Sequence, residues 1–446
     1  MAQIAPAPVP APAQEDLVAG RKALIRGWST GVEPEMILVR AKDALVWDAT
    51  GREYIDCTAQ AWSNNIGASD PRVVEAALAQ AREITHVRSN YDSIPLLLLA
   101  KRLTELAPGD LNKVGFCLHG SLAVEMAMKV AMKNRPNAGP FITLHDGYHG
   151  RSLATMAASW PHVNDAFRPY MTNVVRVPGP YVYRCPLGHD AAACTADCVA
   201  ILRSTIEKGT NGRPAAVIME PIQGNGGQVD WPAEYYTEVR RVCDQTGTLL
   251  IWDEIQTAFG RCGTMFAAEL YGVVPDIIVF GKAIGGGFPL AGILIREGLE
   301  GFAPGDDALT FGQFPVSMAA GLAMIGVLEE DDLLTKCRDM GEYTTARLHA
   351  MAERHPLIGD IRGPGLMLGI ELVMDRVTKE PAVKATTQVY KRGMEQGVIF
   401  GTSKYGGIGN IVKIKPSLTI TRPQMDQVLS VFDSILGDLE RELGLA

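Results

Sequence analysis

The sequence predicts an α/β fold, with a large domain built on a mostly parallel sheet covered by helices and a smaller α+β domain. Two observations support this prediction. Short apolar runs alternate with helical patterns through the middle of the chain. The 446 residues are 47% hydrophobic and 21% charged, an ordinary globular composition that excludes wholesale disorder.

The strands are predicted from buried-type apolar runs, and the helices from their caps and periodic apolar faces. Helices are expected from Pro71 after an Asp70 cap, from Ser121, and from near Thr421. Two longer apolar stretches, 94–100 and 318–328, are interpreted as core helix. The six candidate strands are Val114–Leu118, Phe141–Leu144, Ala216–Met219, Thr248–Trp252, Ile277–Phe280 and Gly292–Ile295.

The chain is divided by composition and pattern into four segments. Alternating Ala and Pro predict a disordered tail at 1–15, with order beginning near Asp16. We expect an N-terminal segment at 16–65 that packs with the small domain, a large domain at 66–328 that contains the mostly parallel sheet, and a C-terminal small domain at 329–446.

Charge and cysteine content limit the partners and the compartment. A net charge of −8 argues against nucleic acid. No apolar run approaches the ~18 residues that span a bilayer, so no membrane partner is expected. The N-terminus lacks the pattern of a secretory signal. Eight unevenly spaced cysteines favour reduced thiols over a disulfide framework and predict a cytoplasmic location.

Polar or glycine-rich sequence follows three of the predicted strands, where ligands collect in open α/β sheets. Lys282 follows one strand and precedes Gly285-Gly286-Gly287. It could be an ordinary solvated lysine, or a desolvated lysine that forms a Schiff base with a carbonyl. The glycines would allow a planar cofactor to approach the backbone.

Two further strand ends carry candidate groups. Asp253 could be a surface carboxylate, or a partner for a pyridinium nitrogen that makes the ring an electron sink. Gly120 and Ser121 could form a simple helix cap, or bind a phosphate through backbone N–H groups and the helix dipole. Together, the lysine, the carboxylate and the anion-binding helix start match the aldehyde, ring nitrogen and phosphate of pyridoxal 5′-phosphate (PLP). A nucleotide site is disfavoured because both glycine-rich nucleotide motifs are absent.

Four segments resemble the class III aminotransferases, the ω-aminotransferase subgroup of fold-type I PLP enzymes. They are LLIWDEIQTAFGRCG, GKAIGGGFPLAG, MEPIQGNGG and GYHGRSL, and the similarity covers roughly residues 35–435. The resemblance implies a sheet of the seven-stranded type and a PLP cofactor.

The resemblance also assigns cofactor residues by position. It implies that Lys282 forms the Schiff base and carries the proton, and that Asp253 pairs with the ring nitrogen. Gln256 would lie near the phenolic oxygen, and Tyr148 would stack on the ring. Gly120 and Ser121 would hold the phosphate.

One further cofactor residue is expected to come from a second subunit. Thr310 matches a phosphate-binding threonine of the neighbouring subunit, which implies a homodimer with shared sites, with a tetramer as the alternative. It could instead be a strand residue in a loop-rich region.

The substrate residues are assigned in the same way. Arg151 matches an arginine that holds a substrate carboxylate. Glu220 matches an acidic residue of the substrate pocket, and a buried structural carboxylate is the alternative. Trp62 lies where the family's N-terminal segment closes the pocket, and it could equally belong to the core.

Three positions depart from the family pattern. The phosphate loop keeps Gly120 and Ser121 but has Leu122 and Val124 where polar residues are usual, and His119 is unusual there. DDAL replaces the common sequence before Thr310. Lys413 stands in place of an arginine that commonly receives a second carboxylate. Because a lysine lacks the bidentate fork, pyruvate is favoured over 2-oxoglutarate.

Cys185, His189, Cys194 and Cys198 raise the question of a metal site. Their spacing does not match a usual zinc pair. Because related aminotransferases carry a similar insertion, we interpret the segment as a structured loop and expect no metal.

The leading functional prediction is an aminotransferase that moves an amino group from an amine or amino acid to a 2-oxo acid by ping-pong kinetics. The same fold and cofactor also serve racemases or epimerases, decarboxylating transaminases and amine phospho-lyases. A non-catalytic PLP-fold binding protein is the third alternative, and retention of Lys282, Asp253 and Gln256 argues against it.

Overall fold

The computed structural model describes residues 13–25, 36–159, 167, 173–403 and 409–445. Most of the predicted Ala/Pro tail, residues 1–12, lies outside them. The first helix begins at Gln14, two residues before the predicted start of order. The predicted domain boundaries stay predictions.

The strands of the described residues are numbered in chain order. They are β1 Leu38–Lys42, β2 Leu45–Asp48, β3 Glu53–Asp56, β4 Lys113–Cys117, β5 Phe141–Leu144, β6 Val174–Val177, β7 Ala216–Met219, β8 Ile222–Gln223, β9 Val229–Asp230, β10 Leu249–Asp253, β11 Ile277–Phe280, β12 Ala291–Ile295, β13 Ile358–Arg362, β14 Leu368–Leu372, β15 Val398–Ile399, β16 Gly401–Ser403 and β17 Ile411–Ile414.

The helices are numbered in the same way. They are α1 Gln14–Ala23, α2 Ala59–Trp62, α3 Pro71–Glu83, α4 Ile94–Leu106, α5 Gly120–Asn134, α6 Leu153–Ala158, α7 Ala191–Ser204, α8 Ala233–Thr246, α9 Ala267–Tyr271, α10 Pro315–Glu330, α11 Leu333–Ala352, α12 Val383–Glu395 and α13 Arg422–Leu443. None of the helices in the described residues combines the length and apolar character needed to cross a bilayer.

A seven-stranded sheet in the order β4-β12-β11-β10-β7-β5-β6 forms the centre of the molecule. The sheet is parallel except at β12, which runs antiparallel to both of its neighbours. Every residue of β5, β7, β10, β11 and β12 is buried, because helices cover both faces of the sheet. The predicted α/β class with a mostly parallel sheet is confirmed.

Two four-stranded sheets lie outside the central one. The order of the first is β1-β2-β3-β15 and that of the second is β13-β14-β17-β16. The parallel pair β3–β15 joins the N-terminal segment to the C-terminal region. The second sheet carries Lys413 on β17, opposite Gly369 of β14.

Two of the three predicted helix starts agree with the observed caps, whereas α5 begins at Gly120, one residue before the predicted Ser121. The Asp70 carboxylate accepts a hydrogen bond from the Arg72 N–H and Pro71 is the first helical residue. Thr421 and Gln424 form a capping box at the start of α13. The apolar residues that recur every three or four positions along α13 are buried, so that helix packs its apolar face into the core. They are Met425, Leu429, Phe432, Leu436 and Leu439.

One expectation about the cysteines is wrong. Cys185 and Cys194 form a disulfide, with their Cα atoms 6.1 Å apart, whereas the other six cysteines are free and buried. A short turn brings Cys185 back to the first residues of α7, so the pair meets without distant contacts. Among the described residues no three His, Cys, Asp or Glu side chains cluster as metal ligands.

Candidate active site

The ends of β10 and β11 and the start of α5 surround a cavity of about 250 Å³. Parallel strands bring their carboxyl ends to this edge of the sheet. The residues lining the cavity are His119, Gly120, Ser121, Tyr148, His149, Gly150, Asp253, Ile255, Gln256 and Lys282. Six of the seven residues predicted to bind the cofactor are therefore in one place.

Lys282 begins a tight turn that spans Lys282–Gly285, directly after β11. Its φ of +50° is in the left-handed region, where a side chain other than glycine is strained. Burial lowers the pKa of Lys282, while the negative charges of Asp253 and Glu220 act in the opposite direction. The amine is thereby suited to act as a nucleophile and to carry a proton.

Asp253 ends β10 and is held by a histidine that the sequence reasoning missed. Its Oδ2 lies 2.9 Å from Nδ1 of His149, and its Oδ1 accepts a hydrogen bond from the Ile255 N–H at 3.2 Å. Asp253 and His149 are only 4% and 2% exposed. A buried carboxylate fixed in this way can face a positively charged ring nitrogen. The signal was present in the sequence, since His149 lies within the GYHGRSL segment.

The N-terminus of α5 forms the opposite end of the cavity. His119 is the N-cap residue, and its side chain makes no capping hydrogen bond. The backbone N–H groups of the first turn of α5 and the helix dipole therefore favour an anion. Ser121 Oγ accepts a hydrogen bond from the Arg151 N–H at 2.9 Å. A Cβ at Gly150, where φ is +136°, would lie 2.5 Å from that oxygen, so only glycine fits there.

Gln256 lies against the backbone of Gly224 on another side of the cavity. It is 6% exposed, and its Oε1 has no hydrogen-bond partner among the described residues. A Cβ at Gly224 would lie 1.8 Å from that oxygen. A buried unpaired amide oxygen is costly, so this amide is suited to contact a polar group of a ligand.

Glu220 lies behind Tyr148 and is not among the residues that line the cavity. Its Oε1 accepts a hydrogen bond from the Tyr148 N–H at 2.8 Å, and its Oε2 accepts one from the Gly224 N–H at 3.0 Å. Burial raises the pKa of Glu220 to about 7. The carboxyl group fixes the loop that presents Tyr148, which agrees with the structural alternative for this residue.

Trp62 and Lys413 lie next to each other and to Lys282. The Nζ atoms of Lys282 and Lys413 are each 5.5 Å from the centre of the Trp62 indole. Trp62 is 8% exposed and Lys413 is 2% exposed. Burial lowers the pKa of Lys413 to about 7. In the structure, Trp62 therefore lies beside Lys282 and Lys413. The sequence left open whether Trp62 belongs to the pocket or to the core.

Arg151 and Thr310 lie apart from the cavity lining. Arg151 is exposed, with its guanidinium carbon 5.6 Å from the centre of the Tyr148 ring. Thr310 is exposed in a turn and does not line the cavity.

Comparisons with known proteins agree with this geometry. The family model described as "Aminotransferase class-III" matches residues 29–436. A leucine/methionine racemase of Thermococcus litoralis is 37% identical, over 91% of this chain and 91% of its own. An acetylornithine aminotransferase of Methanosarcina mazei is also 37% identical, over 89% of this chain and 91% of its own. An amine transaminase from an uncultivated Pseudomonas species, solved in its PLP-bound form, is 28% identical. The match covers 93% of this chain and 97% of the transaminase chain, with a TM-score of 0.86.

The residues of the cavity fit PLP. The uncapped start of α5 suits a phosphate, and the unpaired Gln256 amide oxygen marks a place for a polar ligand atom. Gly150 keeps the space beside Ser121 open. Lys282 and Asp253 line the same cavity. The donors and acceptors present are therefore those that the aldehyde, ring and phosphate of the cofactor need.

Proposed function

The chain belongs to the class III aminotransferases, which are PLP-dependent enzymes, and we propose that it moves an amino group from an amine or amino acid to a 2-oxo acid. The proposed acceptor is pyruvate in preference to 2-oxoglutarate, and the proposed kinetics are ping-pong. The observation that carries the proposal is that Lys282 and Asp253 line one cavity with the anion-binding start of α5. The proposed location of the enzyme is the cytoplasm, which the six free cysteines support and the Cys185–Cys194 disulfide does not.

Each end of the cavity would hold one part of the cofactor. Gly120 and Ser121 would bind the phosphate, Tyr148 would cover the ring face and Gln256 would lie near the phenolic oxygen. When bound, PLP withdraws electrons from the carbon that carries the amino group. Asp253, oriented by His149 at 2.9 Å, would keep the ring nitrogen protonated.

Lys282 would move the proton in each half-reaction. Its lowered pKa leaves a larger fraction of the amine free to accept a proton near neutral pH.

Recognition of the acceptor rests on one buried cation. Lys413 lies near Trp62 and Lys282, and an ammonium offers a point charge without the fork of an arginine. This supports a substrate with one carboxylate. Arg151, exposed beside Tyr148, is the alternative proposed partner for that carboxylate, and Glu220 is proposed to act through Tyr148.

The proposed active unit is a homodimer. Thr310 is exposed and does not line its own chain's cavity, which suits a residue offered to a neighbouring subunit. Helix α4 also exposes Ile94, Leu97 and Leu98 at 76%, 55% and 51%. Apolar exposure of this kind is typical of an interface between subunits. Sedimentation of the PLP-loaded enzyme measures its oligomeric state. The affinity of Thr310→Ala for the cofactor phosphate, compared with that of wild type, tests whether the neighbouring subunit contributes this residue.

The absorbance spectrum of the holoenzyme tests the reaction. A panel of amines is added without any oxo acid, and pyruvate or 2-oxoglutarate is added afterwards. Conversion of the bound cofactor to its amine form, reversed by pyruvate but not by 2-oxoglutarate, is the expected result. Reversal by both acids would refute the acceptor preference. If the bound cofactor never converts to its amine form while the added amine is chemically altered, transamination would be refuted.

Racemisation is the second candidate because one relative at 37% identity is a leucine/methionine racemase. The two reactions differ in whether the amino group leaves the substrate. Chiral chromatography of leucine, methionine and alanine after incubation without oxo acid separates them. Inversion with no oxo acid formed would favour a racemase.

A further inference from the structure

The turn that carries Trp62 is wound in a left-handed sense. The φ angles of Ala59, Gln60, Ala61 and Trp62 are +45°, +45°, +62° and +66°. A left-handed helical turn is unfavourable for every residue that carries a side chain. Four such residues in succession therefore need support from outside the turn.

Part of that support comes from Asp56, at the end of β3. Its Oδ1 accepts a hydrogen bond from the Thr58 N–H at 2.8 Å, and its Oδ2 accepts one from the Gln60 N–H at 3.0 Å. These bonds fix the N–H side of the turn. The Thr58 carbonyl oxygen accepts a bond from the Trp62 N–H at 3.1 Å within the turn, and further support for this carbonyl and for the Trp62 indole comes from outside the turn.

Lys415 contacts both of these groups. Its Nζ donates a hydrogen bond to the Thr58 carbonyl oxygen at 2.8 Å and lies 3.5 Å from the centre of the Trp62 ring. The side chain belongs to a residue that is 3% exposed. Burial lowers the pKa of Lys415 well below its usual range, and the charge of Lys413 lowers it further. The amine carries N–H groups in either protonation state, so both contacts persist.

We propose that Lys415 is a positioning residue, which holds the left-handed turn and the face of Trp62 and thereby sets the size of the amine that the pocket accepts. The proposal rests on the aminotransferase function proposed above. Trp62 is the link, because its ring centre lies 5.5 Å from both Lys282 Nζ and Lys413 Nζ. A shift of the indole would change the space beside the two lysines to which a substrate is drawn.

The test compares Lys415→Met with a matched control, Lys379→Met. Lys379 makes the same pair of contacts away from the cavity: its Nζ donates to the Tyr183 carbonyl oxygen at 2.7 Å and lies 4.7 Å from the centre of the Tyr183 ring. The first readout is hydrogen–deuterium exchange of residues 57–64 in the cofactor-free protein. We expect K415M to speed exchange there at least fivefold, and K379M to leave it unchanged.

The second readout is amine preference of the holoenzyme, measured with ethylamine and 1-phenylethylamine. We expect K415M to raise KM severalfold and to change the ratio of kcat/KM for the two amines by about tenfold, with kcat within about twofold of wild type. In a Trp62→Ala background, K415M should leave that ratio unchanged. This double-mutant cycle of Lys415 and Trp62 isolates the effect that Lys415 exerts through Trp62. Lys415→Gln, which restores a hydrogen-bond donor to the Thr58 carbonyl, should recover part of the original amine preference. The same variant replaces K415M in the test if K415M does not fold.

Two results would overturn the proposal. One is unchanged exchange of residues 57–64 in K415M, which is informative even if the wild-type enzyme transfers no amino group. The other is that K415M changes the amine preference equally in the wild-type and the Trp62→Ala backgrounds. Failure of the proposed aminotransferase function is recognised separately, by a wild-type holoenzyme that converts no amine.

Discussion

Removing the imidazole of His149 should weaken cofactor binding without unfolding the protein. In His149→Leu, Asp253 Oδ2 loses the partner that lies 2.9 Å away, in a position where the aspartate is 4% exposed. A carboxylate that His149 no longer holds toward the ring nitrogen would lose a hydrogen bond between charged groups worth about 1.5–3 kcal/mol, so we expect the dissociation constant for PLP to rise roughly 10- to 150-fold. His149→Asn, which can place an amide N–H near the position of Nδ1, should fall between wild type and the leucine variant.

The assay is a fluorescence titration of the cofactor-free protein with PLP, accompanied by urea unfolding of the same samples. A matched control is His355→Leu. His355 is also buried between carboxylates, with Glu440 Oε2 2.7 Å from Nδ1 and Asp433 Oδ1 2.8 Å from Nε2, but it ties α13 to the end of α11 away from the cavity. The control should lose stability and keep its affinity for PLP.

Wild-type PLP affinity in His149→Leu would refute the assigned role of the histidine. An equal loss of affinity in both variants would also refute it, because the loss would then follow from stability alone.

Three further predictions follow from charge, burial and loop closure. Because burial lowers the pKa of Lys413 to about 7, its ammonium is present below that pH and lost above it, so KM for pyruvate should rise about tenfold per pH unit above 7. Lys413→Arg should flatten that profile in steady-state assays. Arg261→Met should lower the free energy of unfolding in urea by about 3 kcal/mol, because the fully buried guanidinium donates to the Leu366 and Pro416 carbonyls and to Asn65 Oδ1. Cys185→Ser should cost about 2–3 kcal/mol through loss of a cross-link between residues nine apart, and a reductant should destabilise only the wild type.

Much of the central sheet could be predicted because its strands are continuous apolar runs. Phe141–Leu144, Ala216–Met219 and Ile277–Phe280 are observed with the predicted bounds. The strand Val174–Val177 was missed, because Arg176 interrupts its apolar pattern. That guanidinium donates to the carbonyl of Ala157 on α6, a contact that no local pattern indicates.

The sequence by itself determined the fold class, the family and the chemistry of the cavity, because each of these depends on short segments that end strands or begin helices. Lys282, Asp253 and Ser121 occur at such places, and the topology of a parallel sheet brings them together. The tertiary structure alone decided what supports them. His149 reaches Asp253 across 104 residues, and Lys415 reaches Thr58 across 357. The role of a buried amine or imidazole depends on the partner that packing places beside it, and that partner lies too far along the chain for a local pattern to reveal.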